Sequence, residues 1–563
     1  MNCSSCGGSR SRCGCPANKT VKADFVLVGL GTAGAALAWG LTNNPDLSVL
    51  AIEAGADTRT DPLVTTVSVF DPGALYSRKY HWSFPADPRS MQQYSNVGLQ
   101  FIIYEEGRMW GGSSGHNFLL AVRGSAVPYG EWASVDPRWS YNALLPTFRF
   151  LETYTPLGTG VLNPAQRGTS GPLFVTQDFM PVDPLNTFVV ALGNAGMPYT
   201  PDYNDPSLGN FVNSQLQVYV EPTTFMRSWA ASAFLGPAVV TADADGDGHG
   251  VGGRKLEIKS NAVALRLLFK KSGGETTVIG VRYIQDDQII DAMARKKVIL
   301  CAGGVSDPLL LQGSGIGPAA LLADLGIDVV VNNPNVGANL QDHYGPIAFL
   351  PRRAAPDPTL PTGLVAFSDL QGPNVGPGTG EREFQLLFQA PPFPGAPMGF
   401  LMWNLQPSRL GTVTLQSTAP DSDPIIAFHF YESQDDIDRA VRALKMAANI
   451  SLDYSGMMPD LPSADLYPLG EYPGGMAAGD SGLVSYLLNG PTSITNHNSG
   501  TCRMATSAAN GVVDGDLNVF GVQGLSVCSN AIAPTIEDGN TAWCAYIIGL
   551  VKARIEGGIV PTA

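Results

Sequence analysis

The sequence predicts an α/β protein of two interleaved domains, and three observations predict it. Residues 23–53 read as strand, glycine turn, helix, turn and strand, in that order. Residues 256–301 read as four more strands separated by polar turns. The chain has 563 residues, more than one hydrophobic core holds, so it divides into domains.

The first unit starts with Phe25-Val26-Leu27-Val28, which has the length and β-branched content of a buried strand. It runs into Gly29-Leu30-Gly31-Thr32-Ala33-Gly34, then a small-residue helix to Leu41. A turn at Asn43-Asn44-Pro45-Asp46 leads to a second strand, Val49–Ile52, which ends at Glu53. In such a unit the first glycine permits a sharp turn. The second lets backbone N–H groups approach a pyrophosphate, and the third lets helix and strand pack closely. The helix N-terminus adds partial positive charge, and Glu53 is placed to accept hydrogen bonds from a ribose. The unit predicts dinucleotide binding and leaves NAD and FAD open.

Later elements follow from pattern. Residues 139–152 show helical periodicity, with Ser140 as the cap. LEIKS, AVALRLLF, TVIGVRYI and KKVILCAGG supply the strands of 256–301, the last ending at Gly303-Gly304. Residues 351–400 are Pro-rich and are expected to be a long irregular excursion. Residues 433–450 form a capped amphipathic helix and residues 541–555 a buried one. Residues 242–253 (ADADGDGHGVGG) lack the closing Glu of a calcium loop and read as a surface hairpin loop.

Composition narrows the function. The net charge of −15 argues against nucleic-acid binding by the body of the chain. No apolar run of about 18 residues predicts a transmembrane segment. The N-terminus lacks the apolar region of a secretory signal, so no compartment is assigned. Residues 1–22 carry Arg10, Arg12, Lys19 and Lys22, no acid, and four of the eight cysteines: Cys3, Cys6, Cys13 and Cys15. This reads as a flexible tail, compatible with disulfides, zinc or reduced thiols. No metal site is predicted in the body, and the other cysteines are expected to be buried hydrophobes.

The second informative block is Gly107-Arg108-Met109-Trp110-Gly111-Gly112-Ser113-Ser114-Gly115-His116-Asn117, running on to Arg123-Gly124. It resembles the first signature of the GMC (glucose–methanol–choline) oxidoreductase family, roughly GR-x-x-GGSS-x-x-N…RG. Residues 303–318 resemble the second signature. Residues 167–173, 227–238, 336–343 and 408–415 match further family segments, so the resemblance spans nearly everything from Ala23 onward.

The resemblance implies FAD and a GMC fold. A Rossmann-like FAD-binding domain is assembled from residues 23–160, 225–345 and 495–563. A substrate domain on a mostly antiparallel sheet comes from 161–224 and 346–494. Carried over, Gly29, Gly31, Thr32, Ala33, Gly34, Glu53 and Ala54 contact the cofactor, with Arg108 and Val263. Gly112, Ser113 and Asn117 lie along the flavin, and Asn530, Asn540 and Thr541 complete the set. His116 occupies the position where a subset of the family has a histidine covalently linked to the flavin.

The family's catalytic histidine falls at His497 in TNHNSGTCRM, and its second catalytic position at Asn540. The implied reaction removes the hydroxyl proton of a small-molecule alcohol to His497 while hydride passes from its CH–OH carbon to flavin N5. Imidazole suits that proton transfer, and Asn540 can hold the substrate oxygen. The electron acceptor, O2 or another, is open, as is a homodimer or larger assembly. His343, in QDH, is expected to be structural. The second signature departs at Gly304 and Asp307, where the family has small or hydroxyl residues. Ser529-Asn530-Ala531 stands where it commonly has Asp-Ala-Ser. The alternatives are a flavoprotein that binds a surface or polymer through its Cys-rich tail, and a non-redox or light-driven relative.

Overall fold

The structure, a computed structural model, describes residues 19–67, 80–86, 103–156, 162–177, 185–350, 363–368, 381–389, 398–408, 410–419, 422–457, 479–489 and 492–562. The predicted first unit is present as strand β1 (Lys19–Val28), helix α1 (Thr32–Thr42) and strand β2 (Ser48–Ile52). The two strands are parallel, with Phe25 opposite Val49 and Val28 opposite Ile52. They sit inside a nine-stranded sheet. On one side β1 pairs in parallel with Gln288–Leu300, and on the other β2 pairs in parallel with Lys255–Lys259. Antiparallel strands Glu275–Gln285 and Val263–Ser272 extend one edge. The short strand Leu525–Val527 joins the end of Gln288–Leu300 in parallel.

The 256–301 strands thus form as their alternation predicts. The 242–253 segment closes a hairpin between Val240–Ala242 and Gly248–Gly250. Ser140 caps helix Tyr141–Leu151 by accepting from the Ala143 N–H. One expectation changes at the start of the chain. Lys19–Lys22 belong to β1, in register with Ile290–Met293, so the ladder begins inside the segment expected to be tail. Of the four tail cations, Lys19 and Lys22 therefore lie in the sheet. Residues 1–18, with their cysteines, lie outside the described residues.

The final helix, Ala542–Ile555, is buried from Trp543 to Ala553 and packs on α1. The small residues of α1 permit the approach. A Cβ on Gly549 would stand 2.3 Å from the Ala33 carbonyl oxygen, and one on Gly40 would stand 2.6 Å from Ala553 Cβ.

A second sheet has six antiparallel strands, in the order Thr492–Ile494, Tyr344–Leu350, Met398–Asn404, Phe384–Gln389, Gly363–Ser368 and Asn213–Gln215. Three of them come from the Pro-rich segment and its border, which corrects the expectation of an irregular excursion. Pro cannot donate to a ladder, and the runs GLVAFS, FQLLFQ and MGFLMWN contain none. The prolines fall between the strands. Helix Gln434–Met457 packs on this sheet and closes a second apolar core. No described helix is long and apolar enough to cross a membrane.

Candidate active site

The glycine turn after β1 has the geometry its sequence requires. Gly29 has φ +92°, and a Cβ there would lie 2.6 Å from the Cys301 carbonyl oxygen. A Cβ on Gly34 would lie 2.5 Å from the Gly29 oxygen. Gly31 caps α1 without a side-chain hydrogen bond, so the first-turn N–H groups keep the partial positive charge that suits a phosphate. Gly112 has φ +55°, and its Cβ would meet Gly31 Cα at 2.6 Å. Two backbones from distant parts of the chain therefore touch at bare glycines.

Beside this contact lies a cavity of about 600 Å³. Gly31, Thr32 and Ala33 line one part, with Gly112, Ser113 and Asn117. His116, His497, Asn530, Asn540 and Thr541 line it further along, and Leu387, Leu401 and Trp403 of the six-stranded sheet form an apolar wall. The structure thus brings together residues separated by more than five hundred positions. Gly29 lies in the turn beneath and Gly34 in the first turn of α1.

Glu53, Ala54, Arg108 and Val263 do not line this cavity but sit together at the end of β2. Arg108 Nε donates to the Ala54 oxygen at 3.0 Å. The Ala262 N–H donates to the Glu53 oxygen, which sets Val263 beside it. The Glu53 carboxylate itself is buried. One oxygen accepts from Leu30 N and the other from Gly55 N, each at 2.8 Å. Its first task is thus to fasten the glycine turn to β2, and each oxygen has one further lone pair for a ribose. Burial pushes its pKa up to about 7 against those donors.

His497 is set by sheet topology. Strand Thr492–Ile494 pairs with Tyr344–Leu350, placing Ile494 opposite Tyr344. The residues beyond the pair therefore face each other, QDH against Thr495–Ser499. Gln341 and Ser499 exchange main-chain hydrogen bonds. Asp342 Oδ1 accepts from His497 N at 2.8 Å and from Thr495 Oγ1 at 2.6 Å, and Tyr104 donates to Asp342 Oδ2 at 3.1 Å. Burial raises Asp342 to about 6. Asn496 takes φ +55°, a left-handed conformation that Asn tolerates, and turns His497 toward its partners.

His343 Nδ1 lies 2.9 Å from His497 Nδ1. On the other edge, His497 Nε2 lies 3.3 Å from Asn540 Nδ2. Asn540 Oδ1 accepts from Gln385 Nε2 at 3.1 Å, which assigns the amide orientation. Asn540 therefore presents N–H to His497, and Nε2 carries the lone pair. The ring proton of neutral His497 is then on Nδ1 and donates to His343. Burial holds His497 down to about 3 and His343 well below its ordinary value, so both rings are neutral. His343, expected to be structural, is in direct contact with the candidate base. Gln385 and Asp342 drew no attention in the sequence. Asp342 had one usable signal, its place in the QDH match, whereas Gln385 had none.

His116 is half-buried in the cavity wall. Its Nε2 is shielded from solvent and has no hydrogen-bond partner among the described residues. Burial first, then His81 and Arg227, hold it down to about 3. The His81 ring is 5.7 Å away, and His81 Nε2 lies 3.2 Å from Glu105 Oε1, off the direction of a hydrogen bond.

A glycine-lined cleft at a helix N-terminus, continuous with an apolar cavity holding a neutral imidazole, suits a dinucleotide-dependent oxidoreductase. The comparisons give the family. The family models for GMC oxidoreductase match residues 249–345 and 407–549. An uncharacterized GMC-type oxidoreductase of Mycobacterium bovis is 29% identical, over 94% of this chain and 98% of the relative. Oxygen-dependent choline dehydrogenase of Brucella anthropi is 27% identical, over 94% of both. Pyridoxine 4-oxidase from Mesorbium loti superposes with a TM-score of 0.80 at 25% identity, covering 94% of this chain and 98% of that one. The chain belongs to the GMC oxidoreductase family, and its cofactor is FAD. The cleft fits that cofactor, since the helix N-terminus at Gly31 opens on the cavity without a side-chain cap, beside a backbone contact that a Cβ on Gly112 would block.

Proposed function

We propose that the chain oxidises the CH–OH group of an alcohol, with His497 Nε2 accepting the hydroxyl proton. Bound FAD supplies the two-electron acceptor. The observation that carries the reading is the chain His343–His497–Asn540, which leaves one lone pair facing an amide donor at the cavity wall. A substrate oxygen placed between His497 Nε2 and Asn540 Nδ2 meets a proton acceptor and a donor together, so its developing charge stays hydrogen-bonded. Leu387, Leu401 and Trp403 give the carbon skeleton an apolar wall and keep water from the neutral imidazole. Choline and pyridoxine, in the names of two relatives, are both alcohols, which supports the class.

The test is stopped-flow reduction of the flavin with a panel of primary alcohols, followed by reoxidation in air, which separates oxidase from dehydrogenase. His497→Ala is expected to slow reduction roughly 10²–10⁴-fold, the range of general-base catalysis. A panel in which no alcohol bleaches the flavin overturns the reading.

We further propose that the flavin is attached covalently at His116. The support is its unpaired, neutral Nε2 in the cavity wall. Acid precipitation is expected to leave the yellow colour in the protein pellet, and His116→Ala to release it to the supernatant. A yellow supernatant from the unaltered protein refutes attachment.

A further inference from the structure

Two departures from the family pattern, 222 positions apart, meet in space. The family has a small or hydroxyl residue where this chain has Asp307, and commonly an Asp where it has Ser529. In the structure Ser529 Oγ donates to Asp307 Oδ2 at 2.6 Å. Asp307 Oδ1 accepts from Ala302 N at 2.8 Å. Asp307 is completely buried and Ser529 is 5% exposed. Asp307 sits on helix Gly303–Gly313, and Ser529 follows strand Leu525–Val527. The carboxylate and the hydroxyl have changed places across one contact.

Ser529 lines the cavity and Asp307 does not. Burial pushes Asp307 up to about 7; in its ionised form it takes the Ser529 O–H, whose proton is then not available to a ligand. The oxygen receives the Ala531 N–H at 3.2 Å and has one lone pair left. A hydroxyl whose proton is held by a carboxylate is a stronger acceptor than a free one.

We propose that Asp307 and Ser529 form an inverted pair, in which the buried carboxylate makes Ser529 Oγ an acceptor for a hydroxyl group of the bound FAD. The pair stands where the family pattern has the carboxylate at position 529 itself. Asp307 is a positioning residue, acting through Ser529. The inference rests on FAD as the cofactor, and the flavin content of the unaltered protein reports on that separately.

The experiment uses purified holoenzyme carrying Asp307→Ser, Ser529→Asp, or both, with FAD retention and its release rate on dilution as readouts. In the covalent case, the same rates are read in a His116→Ala background. Asp307→Ser removes the carboxylate, and Ser529→Asp sets two carboxylates in contact. Each alone is expected to speed release about tenfold or more, the value of a charge-assisted hydrogen bond. The double variant is expected to return to within about threefold of the starting protein, because the family arrangement is restored. A double variant whose losses multiply overturns the proposal. Should the double variant be insoluble, Asp307→Asn and Ser529→Ala decide alone. Both are expected to speed release to a similar degree, with no further loss when combined. Release unchanged in either one overturns the pair.

Discussion

At the scale of single residues, the site depends on which nitrogen of His497 carries the proton. The acceptor at its Nδ1 is a neutral histidine, in a role where many catalytic histidines have a carboxylate. His343 can therefore fix the tautomer without adding a negative charge that would raise the pKa of the base. This predicts an Nδ1–H resonance for His497 in spectra of ¹⁵N-histidine-labelled enzyme at neutral pH. His343→Leu is expected to lose that signature and slow flavin reduction about 100-fold, as misorientation of a catalytic group does. His343→Asn, whose amide oxygen can stand where Nδ1 stood, is expected to keep both within about fivefold. Leu and Asn variants with equal rates and equal spectra would show that His343 only fills space.

At the scale of elements, the site forms where short segments cross at bare glycines. Gly304 opens helix Gly303–Gly313, and a Cβ on it would stand 2.4 Å from the Asn498 oxygen, one residue past His497. The family pattern has small or hydroxyl residues there, and in this chain glycine lets the histidine loop lie against the helix. Glu106 closes the same junction, accepting from Val305 N at 3.0 Å and from Asn498 Nδ2 at 2.7 Å. Gly304→Ala should push Asn498 outward and move His497 with it. The expected result is a kcat about tenfold lower together with a lower melting temperature, because the added methyl must move backbone, measured by stopped flow and calorimetry. A rate unchanged by the added methyl would mean that the loop yields without moving its histidine. The same crossings explain what was legible beforehand. The βαβ unit was readable because strand period, glycine spacing and helix lie within thirty residues. Asn540 and His497 were readable through short motifs. The strands at 363–368 and 384–389 were not: each pairs with the next strand along the chain, but the prolines between them mask the pattern. Gln385 depends on that unreadable pairing, since its place against Asn540 exists only once the six-stranded sheet has formed.

At the scale of the whole molecule, the first apolar core runs from the nine-stranded sheet to one face of the six-stranded sheet, where Leu387, Leu401 and Trp403 wall the cavity, and the second core lies on the other face of that sheet. Every residue argued to take part in chemistry lies between Gly29 and Thr541. The N-terminal cysteines do not enter that arrangement, and the first ladder contacts begin at Lys19. This sets where a truncation can fall. Removing residues 1–18 is expected to leave FAD content, the rate of flavin reduction and the melting temperature unchanged. Removing residues 1–22 also strips four residues of β1 from their pairing with Ile290–Met293, and should lower the melting temperature by about 2 °C or more. The two truncations thus separate the tail from the sheet that it enters. Sedimentation of the shorter truncation tests the tail's remaining role, because it removes Arg10, Arg12, Cys3, Cys6, Cys13 and Cys15 and nothing of the ladder. If assembly or surface attachment disappears while flavin reduction stays, the tail is a tether on a complete enzyme. If flavin reduction falls as well, the chemistry is not confined to the two cores, and the placement argued for His497 and Asn540 fails.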